Sequence, residues 1–165
     1  MITKIQIEQL SRLYKIDRFT IFREYLQLTF LNYLYQHPKG GDFYFKGGTA
    51  IHLLSNSPRF SEDLDFTSLY ESAKIKTTIG QVAREIKREF SNLTISLFYK
   101  SRQGIRLRLK YESPDFKYPF GIRIDIAQEK PMSKKVSPLL TKFPLIIFPV
   151  VTHLAKEEIL GEKKR

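Results

Sequence analysis

From Gly104 to Tyr111 the chain alternates without a break: Ile105, Leu107 and Leu109 are apolar, while Arg106, Arg108 and Lys110 are cationic. A strand separates these two sets, because its side chains point to opposite faces with a period of two. The pattern calls for a sheet with one apolar face that must be covered and one basic face left to solvent or to an anion. The alternation returns from Phe120 to Ala127, with Phe120, Ile122, Ile124 and Ile126 on one face and Gly121, Arg123 and Asp125 on the other. A further strand is expected at Leu93 to Tyr99, and the short connections favour antiparallel pairing.

Segments at helical spacing supply the cover. Ile5, Leu10, Leu13 and Ile16 fit a short helix, and Arg18 to Gln36 carries Phe19, Phe22, Leu26, Phe30 and Leu34 toward a core. Asp17 is its expected N-cap and His37-Pro-Lys-Gly-Gly its stop. Glu71 to Phe90 reads as a second long helix, with Ile75, Ile79, Val82, Ile86 and Phe90 in one stripe. Asp42 to Lys46 reads as a strand, Gly47-Gly48 as a turn and Thr49 to Ser55 as a short helix ended by Asn56-Ser-Pro. Ser133 to Phe143 is expected to be a loop, Leu145 to Phe148 an edge strand, and Val151 to Arg165 a helix. At 165 residues and 42% apolar content, one core is expected. The reading is an α+β fold, a single domain over 1–165 with N-terminal helices in 1–37 and a C-terminal helical part from 151.

Composition narrows the class. There is no cysteine, which removes disulfides and thiolate metal sites and fits the cytosol. The N-terminus lacks a signal-type apolar core, and the run Phe143 to Val151 is broken by Pro144 and Pro149, so a soluble, unsecreted chain without a membrane span is expected. The net charge is +11, and from Lys74 to Lys110 ten Lys and Arg face only Glu85 and Glu89. Such an excess favours phosphate-rich partners, although a basic run also serves as a solvated surface.

The residues most suited to chemistry lie between these elements. In Asp63-Leu-Asp-Phe66, strand parity sets Asp63 and Asp65 on one face and Leu64 and Phe66 on the other. Transfer of a nucleotidyl group needs a phosphate cradle, divalent cations and a hydroxyl in line with the leaving pyrophosphate. Gly47, Gly48 and Thr49 offer backbone amides and a helix start to an anion, and Lys46 either pairs with phosphate or stands as a solvated charge. Asp63 and Asp65 suit Mg²⁺, a hard ion that takes oxygen ligands. Asp125 is the candidate third carboxylate, with ion pairing to Arg123 or Arg106 as the competing reading. Arg106, Arg108 and Lys110 are placed to grip phosphates of a nucleic acid, and Arg59 and Ser61 either hold the triphosphate or pin the loop to Asp63. His37, His52 and His153 show no metal spacing and read as structural or surface residues.

Phe45-Lys-Gly-Gly-Thr-Ala-Ile and Arg59-Phe-Ser-Glu-Asp-Leu-Asp-Phe together closely resemble the AbiEii-type nucleotidyltransferase toxins, a branch of the DNA polymerase beta-like nucleotidyltransferase superfamily. Arg23-Glu-Tyr-Leu and the closing Glu157-Glu-Ile-Leu-Gly-Glu-Lys163 are also similar. The resemblance implies a mixed, largely antiparallel sheet flanked by helices and a magnesium-dependent transfer of a nucleotide from an NTP. It further implies a toxin or phage-defence role with a cognate antitoxin, and for some relatives an RNA acceptor such as tRNA. On the family pattern Gly47, Gly48 and Thr49 match the phosphate motif, Asp63 and Asp65 the metal pair, Asp125 the third carboxylate and Lys163 a lysine of the nucleotide site. Family members continue past this lysine into a larger helical region, so the part from 151 is expected to be a truncated one. A catalytically idle nucleic-acid- or partner-binding module, and a transferase acting on a small hydroxylated molecule, are the competing functions on the same fold.

Overall fold

A computed structural model describes residues 2–145 and 147–163, apart from the side chains of Phe98 and Lys163. In chain order the elements are α1 (Lys4–Tyr14), α2 (Arg18–Gln36), β1 (Phe43–Lys46), α3 (Gly47–Ser55), β2 (Leu64–Ser68), α4 (Ser72–Glu89), β3 (Leu93–Ser101), β4 (Gly104–Tyr111), β5 (Phe120–Gln128), β6 (Lys135–Pro138), β7 (Val150–His153) and α5 (Lys156–Lys163). The seven strands make one mixed sheet in the order β3-β4-β5-β2-β1-β7-β6. β2 with β5 and β1 with β7 are parallel, and the other neighbours are antiparallel. The parallel β2–β5 pair needs a long crossover, and α4 with the β3–β4 hairpin provides it.

Alternation holds in the strands that show it. Ile105, Leu107 and Leu109 of β4 and Ile122, Ile124 and Ile126 of β5 are buried, and Arg108, Lys110 and Arg123 are exposed. Leu64 and Phe66 of β2 join that apolar face opposite Ile124 and Ile126. Helix α2 lies against it, with the Phe22 ring 4.9 Å from that of Tyr111 and the Phe30 ring 6.2 Å from that of Phe66. α4 adds Ile75, Ile79, Val82 and Ile86. Asp17 caps α2 as expected, its Oδ1 accepting from the Thr20 amide at 2.9 Å.

α2 is buried beyond a single stripe, because neighbours cover it on more than one side. Glu24, Gln27 and Thr29 are buried along with its apolar residues, so their polar atoms need partners. Glu24 accepts from Thr141 Oγ1 at 3.1 Å and pairs with His52 Nε2 at 2.5 Å. The other ring nitrogen of His52 bonds the Ser57 carbonyl. Both contacts are to acceptors, which calls for a doubly protonated ring. Burial opposes that charge, but Glu24 and the Ser57 carbonyl outweigh it and raise the His52 pKa. Gln27 Nε2 donates to the carbonyls of Ser61 at 3.0 Å and Glu62 at 3.2 Å. The loop leading into β2 is thereby tied to the central helix directly at two carbonyls, and at a third, that of Ser57, through His52.

The C-terminal third differs from expectation. Leu145, Ile147 and Phe148 form no strand, and Ile146 lies outside the described residues. β6 forms within the expected loop and β7 within the expected helix, which begins only at Lys156. Val150-Val-Thr is β-branched and suits a strand. β7 also covers the edge of β1, and the Leu154 amide donates to the Phe45 carbonyl at 3.1 Å. Helix α3 starts at Gly47, two residues before the expected position, so both glycines belong to its first turn. Among the described residues no helix is long and apolar enough to cross a membrane.

Gln27→Leu keeps approximate volume and removes the two donors to the loop. Its expected cost is about 1–2 kcal/mol, the range for orphaning buried hydrogen-bond groups, read as a lower urea midpoint with an unchanged denaturant slope.

Candidate active site

The register of the sheet assembles the polar groups into rows. β2 and β5 set Asp65 beside Asp125, β1 sets Lys46 beside Asp65, and β4 sets Arg106 beside Asp125. The row across the sheet is therefore Lys46, Asp65, Asp125, Arg106, with two carboxylates flanked by cations. Like charges directly opposite one another destabilise a sheet, so the compensation around them matters.

That compensation is uneven. Asp125 is held on both oxygens, by Arg106 Nε at 2.6 Å and Arg123 Nε at 3.1 Å. Arg123 Nη2 also reaches Asp63 Oδ2 at 2.7 Å. Lys46 does not complete the row with Asp65. Its ammonium lies 3.1 Å from Glu129 Oε1 and 3.4 Å from Glu162 Oε2, which ties the end of β1 to α5. Asp65 has no ion pair among the described residues. Burial, then the charges of Asp125 and Asp63, push its pKa up to about 6, against the weaker pull of Lys46 and Arg123.

The start of α3 closes over this carboxylate. Gly47 has φ +81°, in the region that favours glycine, and a methyl group there would collide with the Asp65 carboxyl oxygen. Gly47 is thus needed to seat Asp65 against the helix, whose first-turn amides remain an anion-binding feature. The Thr49 hydroxyl is buried and donates to the Asp63 backbone carbonyl. It positions Asp63, which precedes the first residue of β2, instead of pointing at open space.

The other expected residues divide. Arg108 and Lys110 line a groove of about 380 Å³ with Asp63, Gly121 and Arg123. Arg106 is engaged with Asp125. Ser61 contributes its carbonyl to Gln27. Arg59 is exposed in the loop, where its amide donates to Ser57 Oγ and its side chain has no ion pair among the described residues. Lys163 ends α5, and its side chain lies outside the described ones. Sequence reasoning missed Gln27, which steers the loop, and Glu129, which accepts from both Lys46 and Thr67. A polar residue set between Leu26 and Leu28 in the middle of α2 was the available signal for Gln27.

Three carboxylates near one another form an oxygen donor set suited to a hard divalent cation. Among the described residues, no three His, Cys, Asp or Glu side chains are already gathered into a cage for one, and arginines engage Asp63 and Asp125. Burial and the nearby charges of Asp125 and Asp63 raise the Asp65 pKa, and no ion pair among the described residues brings it positive charge. A cation at this end of the sheet would supply it, so the residues fit the ion.

A family model for the AbiEii nucleotidyl transferase toxin of type IV toxin–antitoxin systems matches residues 29–165. The chain belongs to this family. Its fold is shared with MenT4, a nucleotidyltransferase toxin of Mycobacterium tuberculosis H37Rv, at a TM-score of 0.72 and 18% identity, covering 99% of this chain and 58% of that one. JHP933 from Helicobacter pylori is similar at a TM-score of 0.59 and 20% identity, covering 87% of this chain and 55% of that one. The AbiEii chain thus spans somewhat more than half the length of these solved structures. No curated protein matches it by sequence.

In the AbiEii chain the folded pKa of Asp65, about 6, lies above the ordinary value of 3.8. The folded state keeps a proton that the unfolded state has lost, so this contribution to stability is present below about pH 4 and lost as pH rises through about 6. In chelator-treated protein, Asp65→Asn is expected to match the parent near pH 4 and exceed it above pH 7 by about 1–3 kcal/mol, at roughly 1.4 kcal/mol per pKa unit. Chemical denaturation of both proteins across pH measures the difference.

Proposed function

We propose that the chain carries the catalytic centre of a Mg²⁺-dependent nucleotidyltransferase. It moves a nucleoside monophosphate from an NTP to a hydroxyl of an RNA acceptor such as tRNA, as the toxin of a cytoplasmic toxin–antitoxin or phage-defence pair. The observation that carries this reading is the adjacency of Asp65 and Asp125 in the parallel β2–β5 pair, with Asp63 joined to Asp125 through Arg123. Family membership supports the class of chemistry, and the +11 charge supports a polyanionic acceptor.

Asp63, Asp65 and Asp125 would hold the ion, which when bound neutralises phosphate charge and favours the deprotonated form of an attacking hydroxyl. Gly47 and Gly48 present the first-turn amides of α3 to the phosphates, with Thr49 and Gln27 fixing the approach to Asp63. Arg108 and Lys110 in the groove beside Asp63 suit the acceptor backbone. Lys46 acts by docking α5, whose last residue is Lys163, against the same end of the sheet.

A second reading, a non-catalytic nucleic-acid- or partner-binding module, draws on the arginines that already engage Asp63 and Asp125. It requires salt-sensitive RNA binding that is indifferent to metal.

In a labelled-NTP transfer assay with RNA, Asp63→Asn with Asp65→Asn is expected to lower transfer by about 100-fold or more, corresponding to several kcal/mol of lost charge stabilisation. Undiminished labelling by the double variant removes these carboxylates from the mechanism. RNA retention unchanged by both chelator and the double variant, without transfer, favours the binding module.

A further inference from the structure

The Arg123 guanidinium stands where the metal reading needs an open approach. Its Nη2 bonds Asp63 Oδ2 at 2.7 Å and its Nε lies 3.1 Å from Asp125 Oδ2, so one planar cation bridges two carboxylates from different parts of the chain. A guanidinium carries several donors in a fixed fork, and this is what lets it span both groups. Arg106 is different, because among the described residues its ion pair is with Asp125 alone, on the opposite oxygen Oδ1. The remaining carboxylate, Asp65, has no ion pair among the described residues.

We infer that Arg123 is a built-in competitor for the divalent cation, clasping Asp63 and Asp125 until metal displaces it. The inference rests on the reading of these carboxylates as metal ligands. Metal entry would then be an exchange of cations, because the guanidinium occupies oxygens of the two carboxylates, Asp63 and Asp125, that would hold the ion. The bridge is open to such exchange: the Arg123 side chain is 45% exposed, and Asp63 is 34% exposed. Arg123 also borders the 380 Å³ groove with Arg108 and Lys110. Gly121 leaves that side open, since a methyl group there would meet nothing closer than Arg108 Cδ at 3.8 Å. The released guanidinium therefore has a place to go, next to two other cations, where phosphate is the partner that would hold it.

The exchange makes apparent metal affinity depend on the bridging geometry of residue 123 as well as on charge. Lysine at this position keeps the charge but replaces the planar guanidinium with a compact ammonium on a flexible stem, so the fixed fork that holds the two Oδ2 oxygens together is lost. A general electrostatic effect and a clasp therefore give different results for Arg123→Lys.

The test is Mn²⁺ binding to the intact chain without nucleotide, by calorimetry and by the Mn²⁺-induced shift in melting temperature, for the parent, Arg123→Gln, Arg123→Lys and Asp63→Asn with Asp65→Asn. Both Arg123 variants are expected to bind Mn²⁺ about 10-fold more tightly than the parent, because the ion no longer has to displace the guanidinium fork, a difference of about 1.4 kcal/mol. They should also gain more melting temperature from Mn²⁺, because tighter binding to the folded state stabilises it further. Tightening in Arg123→Gln with none in Arg123→Lys assigns the effect to charge alone and overturns the clasp. Equal affinity in the parent and both Arg123 variants, with loss in the carboxylate variant, overturns the clasp and leaves the metal site standing. Binding by none of them, or binding unaffected by the carboxylate variant, overturns the metal reading and the clasp with it.

Discussion

The placement of Asp65 beside Asp125 on the parallel β2–β5 pair is the constraint on which the functional end of the sheet depends. Two acidic side chains opposite one another in a sheet repel, and the surroundings are arranged around that repulsion. Arg106 and Arg123 engage Asp125, and Arg123 reaches on to Asp63. Lys46 turns aside to Glu129 and Glu162, leaving Asp65 the least compensated member. Such a charge deficit is tolerable in a fold because Leu64, Phe66, Ile124 and Ile126 behind it are buried, so its cost is drawn against a large core.

The covered face in turn controls the site. Helix α2 packs its aromatic rings against β2, β4 and β5, its buried Gln27 reaches the loop that enters β2, and its Glu24 holds His52, which bonds the Ser57 carbonyl of that loop. Thr49 adds a hydrogen bond from the start of α3 to the Asp63 carbonyl. Asp63 lies just outside the strand, and these contacts do for it what ladder hydrogen bonds do for Asp65. Helix and site are coupled through backbone carbonyls, so their relation is set by geometry more than by charge.

Much of this could be read from residue order. Strand parity separated Arg106, Arg108, Lys110, Arg123 and Asp125 from the isoleucines and leucines, and it placed Asp65 opposite in sense to Leu64 and Phe66. It could not say which side of the sheet edge would receive Val150 to His153, because a short β-branched run becomes a strand when a neighbouring edge is open to it. The glycines were legible as a phosphate-type bend, yet in the fold Gly47 makes room for the Asp65 carboxyl, which a methyl group there would strike. Thr49 and Lys46 stood beside those glycines in the sequence and are engaged with Asp63, Glu129 and Glu162, partners distant along the chain.

The sequence by itself determined the faces: which side chains are apolar, which are charged, and that a glycine-led helix precedes a pair of alternating carboxylates. Period-two alternation is local, and local pattern suffices for it. Only the tertiary structure decided the neighbours. The strand order β5-β2-β1 brings residues 46, 65 and 125 into one row, and the register sets Arg123 between Asp63 and Asp125. Strand order and register follow from how the whole apolar face is buried beneath α2 and α4, a requirement spread over the chain that no single segment contains.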